Sequence, residues 1–469
     1  MTDLKSVACP LPALPAGAPG ADVTLEDGAI RRTILPGGTR VITEHMLGTR
    51  AATVALWVAR GSRDEVEGAR GSTHFLEHLL FKGTPRRTAH QIAMEFDAVG
   101  GDSNAATGRE CTHYYAEVLG EDVPMAIDVL MDMLCAPLLN AADFEMERGI
   151  ILDELTMALD NPSEQAFDEF TRRVFPAHPL GRPIGGTIES VKADTLEAIV
   201  AHYQAGYAPD RLVVAAAGDV SHDQVCELVA GSLRRPDSPW PQWQSAPDPA
   251  QPALDFDTAA AVPLGNPADR CGNSLNAVGQ GAWKPESGIF KVAGKFEQSR
   301  VLIGGPGPGV ADVNMPVMNV MNAVLGGGMS SRLFQNIREK RGLAYTTYVF
   351  NSPYRDAGSF GVTATCNPAN TDQVAALLRA ELEDIATNTV PEDELARAKG
   401  QLRGATLLSL EDNTVRANRL AHAEILRGAY IPLAAKLEQM QAVTAAQVRD
   451  WAAELAKRAT IEVRLGPEE

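Results

Sequence analysis

Five consecutive residues, His74-Phe75-Leu76-Glu77-His78, combine side chains that could hold a metal ion with one that could move a proton. Imidazoles four positions apart lie on one side of a helix and can bind a single ion. At about 100° per residue, His74, Glu77 and His78 fall within one arc of roughly 100°. Phe75, Leu76, Leu79 and Leu80 lie opposite, so one face suits a core and the other presents two imidazoles and a carboxylate. The order is the reverse of the HExxH arrangement, with Glu77 placed beside the ion to hold a water. The competing reading is two unrelated surface histidines next to a glutamate.

A catalytic zinc takes three protein ligands and keeps one position open. The best source of a third is a helix expected over 143–160. Its apolar face is Phe144, Ile151, Leu155 and Ala158; Glu147 and Glu154 sit at the edge of that face, and Glu145 and Asp153 point toward solvent. A carboxylate at a buried edge needs a partner, and a metal is one. Glu147 and Glu154 stack about 10.5 Å apart along the axis, so one should ligate and the other act from behind. Helix geometry does not say which.

These residues need elements to position them. The segment 71–83 reads as a helix, with Ser72 or Thr73 to cap its start and Gly83 before Thr84-Pro85 to stop it. Strands are expected over 30–43, 52–59, 111–118 and 211–218, and helices over 89–99 and 122–135. Residues 1–28 read as a flexible arm, 29–235 as a first domain, 236–294 as a Pro- and Gly-rich linker, and 295–469 as a second domain. The two folded stretches look alike: each gives a helix, a short connection and a long helix, and each closes with a helix and a strand. The expected class is α+β, one mixed domain occurring twice.

Composition narrows the partners. Formal net charge is -18, from 60 acidic and 42 basic side chains, which argues against nucleic acid. Six cysteines lie far apart with no CxxC pair, the usage of a reducing compartment, and no secretory signal stands out at the start. No run of about 18 apolar residues is present, so no membrane span is expected and the cytoplasm is the expected location.

His74-Phe75-Leu76-Glu77-His78, followed by Glu147 and Glu154, resembles the pitrilysin/insulinase family of zinc metallopeptidases, the inverzincins. The nearest likeness is to the branch holding mitochondrial processing peptidase and its bacterial relatives. FLEHLLFKGT, VGGDSNAATGRECTHYYAEVL, ERGIILDEL and HPLGRPIGGT carry the likeness, which covers nearly all of 30–235 and 295–466. It implies domains of the LuxS/processing-peptidase-like type, two per chain, forming half of a clamshell. In the family the third ligand follows the second histidine by about 76 residues; here 154 − 78 = 76, which selects Glu154. Glu147 then matches a further residue needed for activity.

The resemblance also implies substrate contacts. Asn104 and Ala105 would bind an extended peptide along an exposed strand edge. Arg338 and Tyr345 match an Arg/Tyr pair that holds substrate and donates to the carbonyl oxygen, and Gly326, Gly327 and Gly328 match a glycine loop. Pairing the long helices at an offset of 249 (143 with 392) sets Ala396 and Arg403 opposite Glu147 and Glu154, so only the first half can carry the metal. The implied protein is a zinc endopeptidase with one Zn2+ per chain, acting on peptides or unfolded segments inside a homodimeric chamber. The rivals are a non-catalytic peptide-binding scaffold and a narrow processing peptidase. The other histidines, His45, His90, His113, His178, His202, His222 and His422, carry no assigned role; the alternation of the strand after Asn104 offers a cleft-facing His113 as the lesser alternative.

Overall fold

The computed structural model describes residues 9–10, 23–25, 29–235, 240 and 283–467. The strands of the first half are β1 (Cys9–Pro10), β2 (Val23–Leu25), β3 (Ile30–Ile34), β4 (Arg40–His45), β5 (Ala51–Val58), β6 (Asp102–Thr107), β7 (Thr112–Leu119) and β8 (Leu212–Gly218). Those of the second are β9 (Gly288–Gly294), β10 (Ser299–Pro306), β11 (Ala344–Pro353), β12 (Gly358–Cys366), β13 (Ala429–Tyr430) and β14 (Ile461–Pro467). Among the described residues they form a seven-stranded sheet, β2-β3-β4-β8-β5-β7-β6, and a five-stranded sheet, β11-β12-β10-β14-β9, while β1 pairs with β13.

The duplication is visible in the topology. In each half the first strand of the repeat runs parallel to the last (β4 with β8, β9 with β14), the second runs antiparallel to the last, and a hairpin completes the edge. The chain thus consists of two mixed α/β units of the same design. Alternation along β5 and β8 feeds two cores at once. Ala52, Val54, Leu56, Leu212, Val214 and Ala216 face the helices of the first half. Ala55, Trp57, Val213, Ala215 and Ala217 face the other way.

Helices of the first half are α1 (Ser72–Leu80), α2 (Ala89–Val99), α3 (Val123–Cys135), α4 (Ala141–Leu159), α5 (Pro162–Val174), α6 (Ile188–Ala193), α7 (Leu196–Gly206) and α8 (His222–Leu233). The second half has α9 (Met315–Gly326), α10 (Thr371–Thr387), α11 (Glu392–Ser409), α12 (Asn413–His422), α13 (Leu433–Ala442) and α14 (Ala445–Ala456). None is long and apolar enough to cross a membrane.

Two helices are exchanged between the halves. From the first half, α5 buries Ala166, Phe170 and Val174 against Leu302, Ile461, Val463 and Leu465 of the second sheet. From the second, α12 buries Ala417, Leu420 and Ala421 against Ala55, Trp57 and Val213 of the first. Charge pairs fasten the second contact, on and just after α12. Arg32 meets Glu424 with only 1% and 2% of the two side chains exposed, and Arg416 and Arg419 both reach Glu44.

Several expectations change. The strand expected over 30–43 is two strands, β3 and β4, parted by a turn in which Gly37 and Gly38 take φ of 85° and 95°. A Cβ at Gly38 would also meet Asp210 at 3.0 Å, so this turn requires glycine. The linker expected to reach 294 ends sooner, because the described chain resumes at Trp283 and β9 is a full member of the second sheet. The arm expected over 1–28 contains β1 and β2; apart from Trp240, which is buried in the first core, the remainder of both segments lies outside the described residues. Nor are 29–235 and 295–469 self-contained, because α5 and α12 cross.

Candidate metal centre

Helix α1 starts at Gly71, which takes a φ of 97°. A Cβ at this position would meet the Gly185 carbonyl oxygen at 2.7 Å, so there is no room for a side chain. Neither Ser72 nor Thr73 caps the helix, contrary to the expectation from sequence. The carboxylate of Glu65 accepts from the backbone N–H of Gly71 and of Thr73, both at 2.9 Å, and so sits at the positive end of the helix. Burial pushes the Glu65 carboxyl up to about 7, against the opposing pull of those two amides. Phe75 stacks on Phe144 of α4 at 4.6 Å between ring centroids, which sets α1 against α4.

That packing brings three donors together. Glu154 Oε2 lies 3.9 Å from His74 Nε2 and 3.5 Å from His78 Nε2, too far for hydrogen bonds. Ligands on a tetrahedral ion at about 2.1 Å stand roughly 3.4 Å apart, so these separations suit a shared metal. His74, His78 and Glu154 form the one group of three or more metal-ligating side chains found among the described residues. Two imidazoles with a carboxylate are a donor set for zinc. Burial, and then the neighbouring His78, lower the His74 pKa to about 4, which keeps its ring neutral and ready to ligate.

Behind the ligands, His78 Nδ1 donates to Glu147 Oε2 at 2.9 Å, fixing the tautomer that leaves Nε2 free for a metal. Glu147 is 1% exposed and its other oxygen pairs with Lys82. Thr73 Oγ1 meets His202 Nε2 at 3.2 Å one turn earlier. The carboxylate of Glu77 accepts from Thr107 Oγ1 at the end of β6. Burial raises the Glu77 carboxyl above its ordinary value, opposed by the hydrogen bond from Thr107.

The structure therefore gathers His74, His78, Glu154, Glu77 and Glu147 in one place. β6, with Asn104 and Ala105, is an edge strand of the same half, and Asn104 Oδ1 accepts from the Ala105 N–H at 2.8 Å. Arg338 and Tyr345 neighbour each other, with the guanidinium 5.2 Å from the ring centroid, beside the edge strand β11. Tyr345 is 74% exposed. Gly326, Gly327 and Gly328 end α9, where Gln401 of α11 donates to the Gly327 carbonyl. Among the described residues no hydrogen bond, ion pair or ring contact joins these second-half residues to α1 or α4. His113 does not face the cleft: it stacks on Trp57 at 4.0 Å, on the sheet face that α12 covers. Glu65, Lys82 and Thr107 do not stand out from sequence. Only Thr107 leaves a signal there, two positions from Ala105 and so on the same face of its strand.

Comparison with known proteins agrees with this geometry. Residues 40–188 match the insulinase family (peptidase family M16), and residues 195–402 match the peptidase M16 inactive domain. The chain is 41% identical to an uncharacterized zinc protease of Streptomyces coelicolor over 94% of its own length and 90% of that protein. It is 29% identical to the uncharacterized zinc protease YmxG of Bacillus subtilis, over 91% of this chain and 95% of that one. The fold matches the crystal structure of a peptidase M16 inactive domain from Pseudomonas fluorescens with a TM-score of 0.78 at 19% identity, covering 94% of this chain and 98% of that one. It matches a protease from Helicobacter pylori with a TM-score of 0.77 at 21% identity, covering 96% and 100%. The fold and the site define a two-domain metallopeptidase architecture with the metal helix in the first half. The chain belongs to the insulinase family, peptidase family M16, and its relatives are named as zinc proteases.

Proposed function

We propose that this chain is a zinc endopeptidase that hydrolyses peptides or unfolded polypeptide segments. The observation that carries this reading is the convergence of His74, His78 and Glu154 with a carboxylate, Glu77, on the same helix face. These three residues would hold one zinc per chain, and the bound ion would supply Lewis acidity and an acidified water. Glu77 takes the proton from the attacking water and returns it to the leaving amine. Burial raises the Glu77 carboxyl above its ordinary value, the direction that favours taking up a proton. Glu147, neutralised by Lys82, holds His78 in the ligating tautomer.

The substrate backbone lies along β6, where Asn104 and Ala105 offer an open sheet edge. Tyr345 donates to the carbonyl oxygen as charge develops and Arg338 holds the peptide, both reaching the metal centre of a second copy in a homodimeric chamber. The glycine turn Gly326-Gly327-Gly328 closes on the peptide from the same side. A reducing, cytoplasmic setting is in keeping with the thiols of Cys111 and Cys366, which form no disulfide.

Glu77→Gln tests the mechanism. Hydrolysis of a mixed peptide library, read by mass spectrometry, should fall by at least about a hundredfold while zinc content stays at one per chain. Normal turnover at normal zinc content would overturn the role of Glu77. A metal-replete parent chain that binds library peptides and cleaves none would favour the scaffold reading.

A further inference from the structure

We propose that Thr107 is a positioning residue that fixes Glu77 and ties it to the strand on which substrate lies; this rests on the assignment of Glu77 as the base. Thr107 is the last residue of β6 and pairs with Thr112 on β7. Side chains alternate along a strand, so Ser103, Ala105 and Thr107 share one face. Ala105 packs against the first-half core on that face, beneath α1. Two positions on, the Thr107 hydroxyl meets the Glu77 carboxylate and donates to Oε2. Among the described residues no other side chain hydrogen-bonds Glu77.

The arrangement answers a mechanical need. A glutamate has three torsions and two equivalent oxygens, and a general base works only within hydrogen-bond reach of the proton it takes. The Thr107 hydroxyl holds one oxygen, Oε2, so the orientation of the carboxylate is set from the strand. Thr107 also has a stiff, β-branched χ1, so the clamp itself is rigid. Asn104 and Ala105 lie three and two positions earlier on the same strand. A peptide added along this edge and the base that acts on it are therefore indexed to one rigid element.

The test compares zinc-loaded, full-length Thr107→Val and Thr107→Ser chains, each with and without Glu77→Gln, by kcat, KM and zinc content. Val keeps the shape and removes the hydroxyl; Ser keeps the hydroxyl. Thr107→Val should lower kcat by about 10- to 100-fold, with KM within about twofold of the parent and zinc unchanged. Thr107→Ser should stay within about threefold of the parent. On the Glu77→Gln background, Val should slow the residual rate no further, because the group it positions is gone. A parental kcat for Thr107→Val, a Ser chain as slow as the Val chain, or equal slowing on both backgrounds would each overturn the proposal. An active Glu77→Gln chain overturns the base and the clamp together; an inactive one beside a fully active Thr107→Val chain overturns the clamp alone. If Thr107→Val does not fold, Thr107→Ala is judged by the same criteria.

Discussion

Glu147 accepts from His78 with one oxygen and meets Lys82 with the other, almost wholly out of water. The Lys82 ammonium balances the charge of this buried carboxylate, which in turn secures the tautomer of a ligand that Lys82 does not touch. Glu147→Gln keeps the size and removes the charge. Zinc affinity, measured by competition with a chromogenic chelator, should weaken about 10- to 100-fold. Unchanged affinity would mean that packing alone orients His78. Glu154, 47% exposed at the side chain, is the ligand most open to solvent, which accords with an ion reached from the cleft.

Helix α4 does several jobs at once, and its sequence shows some of them. Its periodicity places Phe144 and Ile151 in the core and puts Glu145 and Asp153 outside, which is where they lie. It also leaves Glu147 and Glu154 at the edge without choosing between them, because the choice depends on where α1 packs. The cap of α1 escapes the sequence for a similar reason: Glu65 is distant enough along the chain that only the folded turn brings it to Gly71 and Thr73. The exchange of α5 and α12 leaves no trace either, since an apolar helix face does not name the sheet that covers it. The same α4 also reaches α6: Arg148 donates to the carbonyls of Val191, Lys192 and Asp194 at 2.6, 3.1 and 3.0 Å. Next to this cap the Asp194 side chain is buried, and burial pushes its carboxyl up to about 6 despite the charge of Arg148. An unfolded aspartate titrates near 3.9. The folded state thus holds this proton more tightly, and the associated stability is complete below about pH 4 and lost as pH rises through 6. Asp194→Asn should therefore melt above the parent at pH 8, with the difference shrinking at pH 5. Thermal unfolding at the two pH values checks it, and a parent that is the more stable at pH 8 refutes it.

At the scale of the molecule, the exchanged helices decide what one chain can do alone. α5 is part of the second half's core and α12 part of the first's. Arg63, just before the metal helix, is paired with both Glu110 and Asp356, so the hairpin tips of the two sheets are tied as well. Two units locked by reciprocal cores and charge pairs cannot rotate freely about a linker. Tyr345 and Arg338 are consequently held on the second half, with no hydrogen bond, ion pair or ring contact to α1 or α4 among the described residues. The proposed homodimer has a second chain present them. This makes complementation the decisive measurement. A Glu77→Gln chain has an intact Tyr345 but no base; a Tyr345→Phe chain has the base but no hydroxyl. Each homodimer should be slow. In a statistical mixture, half of the dimers are heterodimers, and each of these holds one centre with an intact base facing an intact tyrosine. Activity should recover to about a quarter of the parent's per chain, because one centre in four is then complete. A mixture no more active than the average of its two components would place Tyr345 outside the reaction across the interface, and with it the dimeric arrangement of the site.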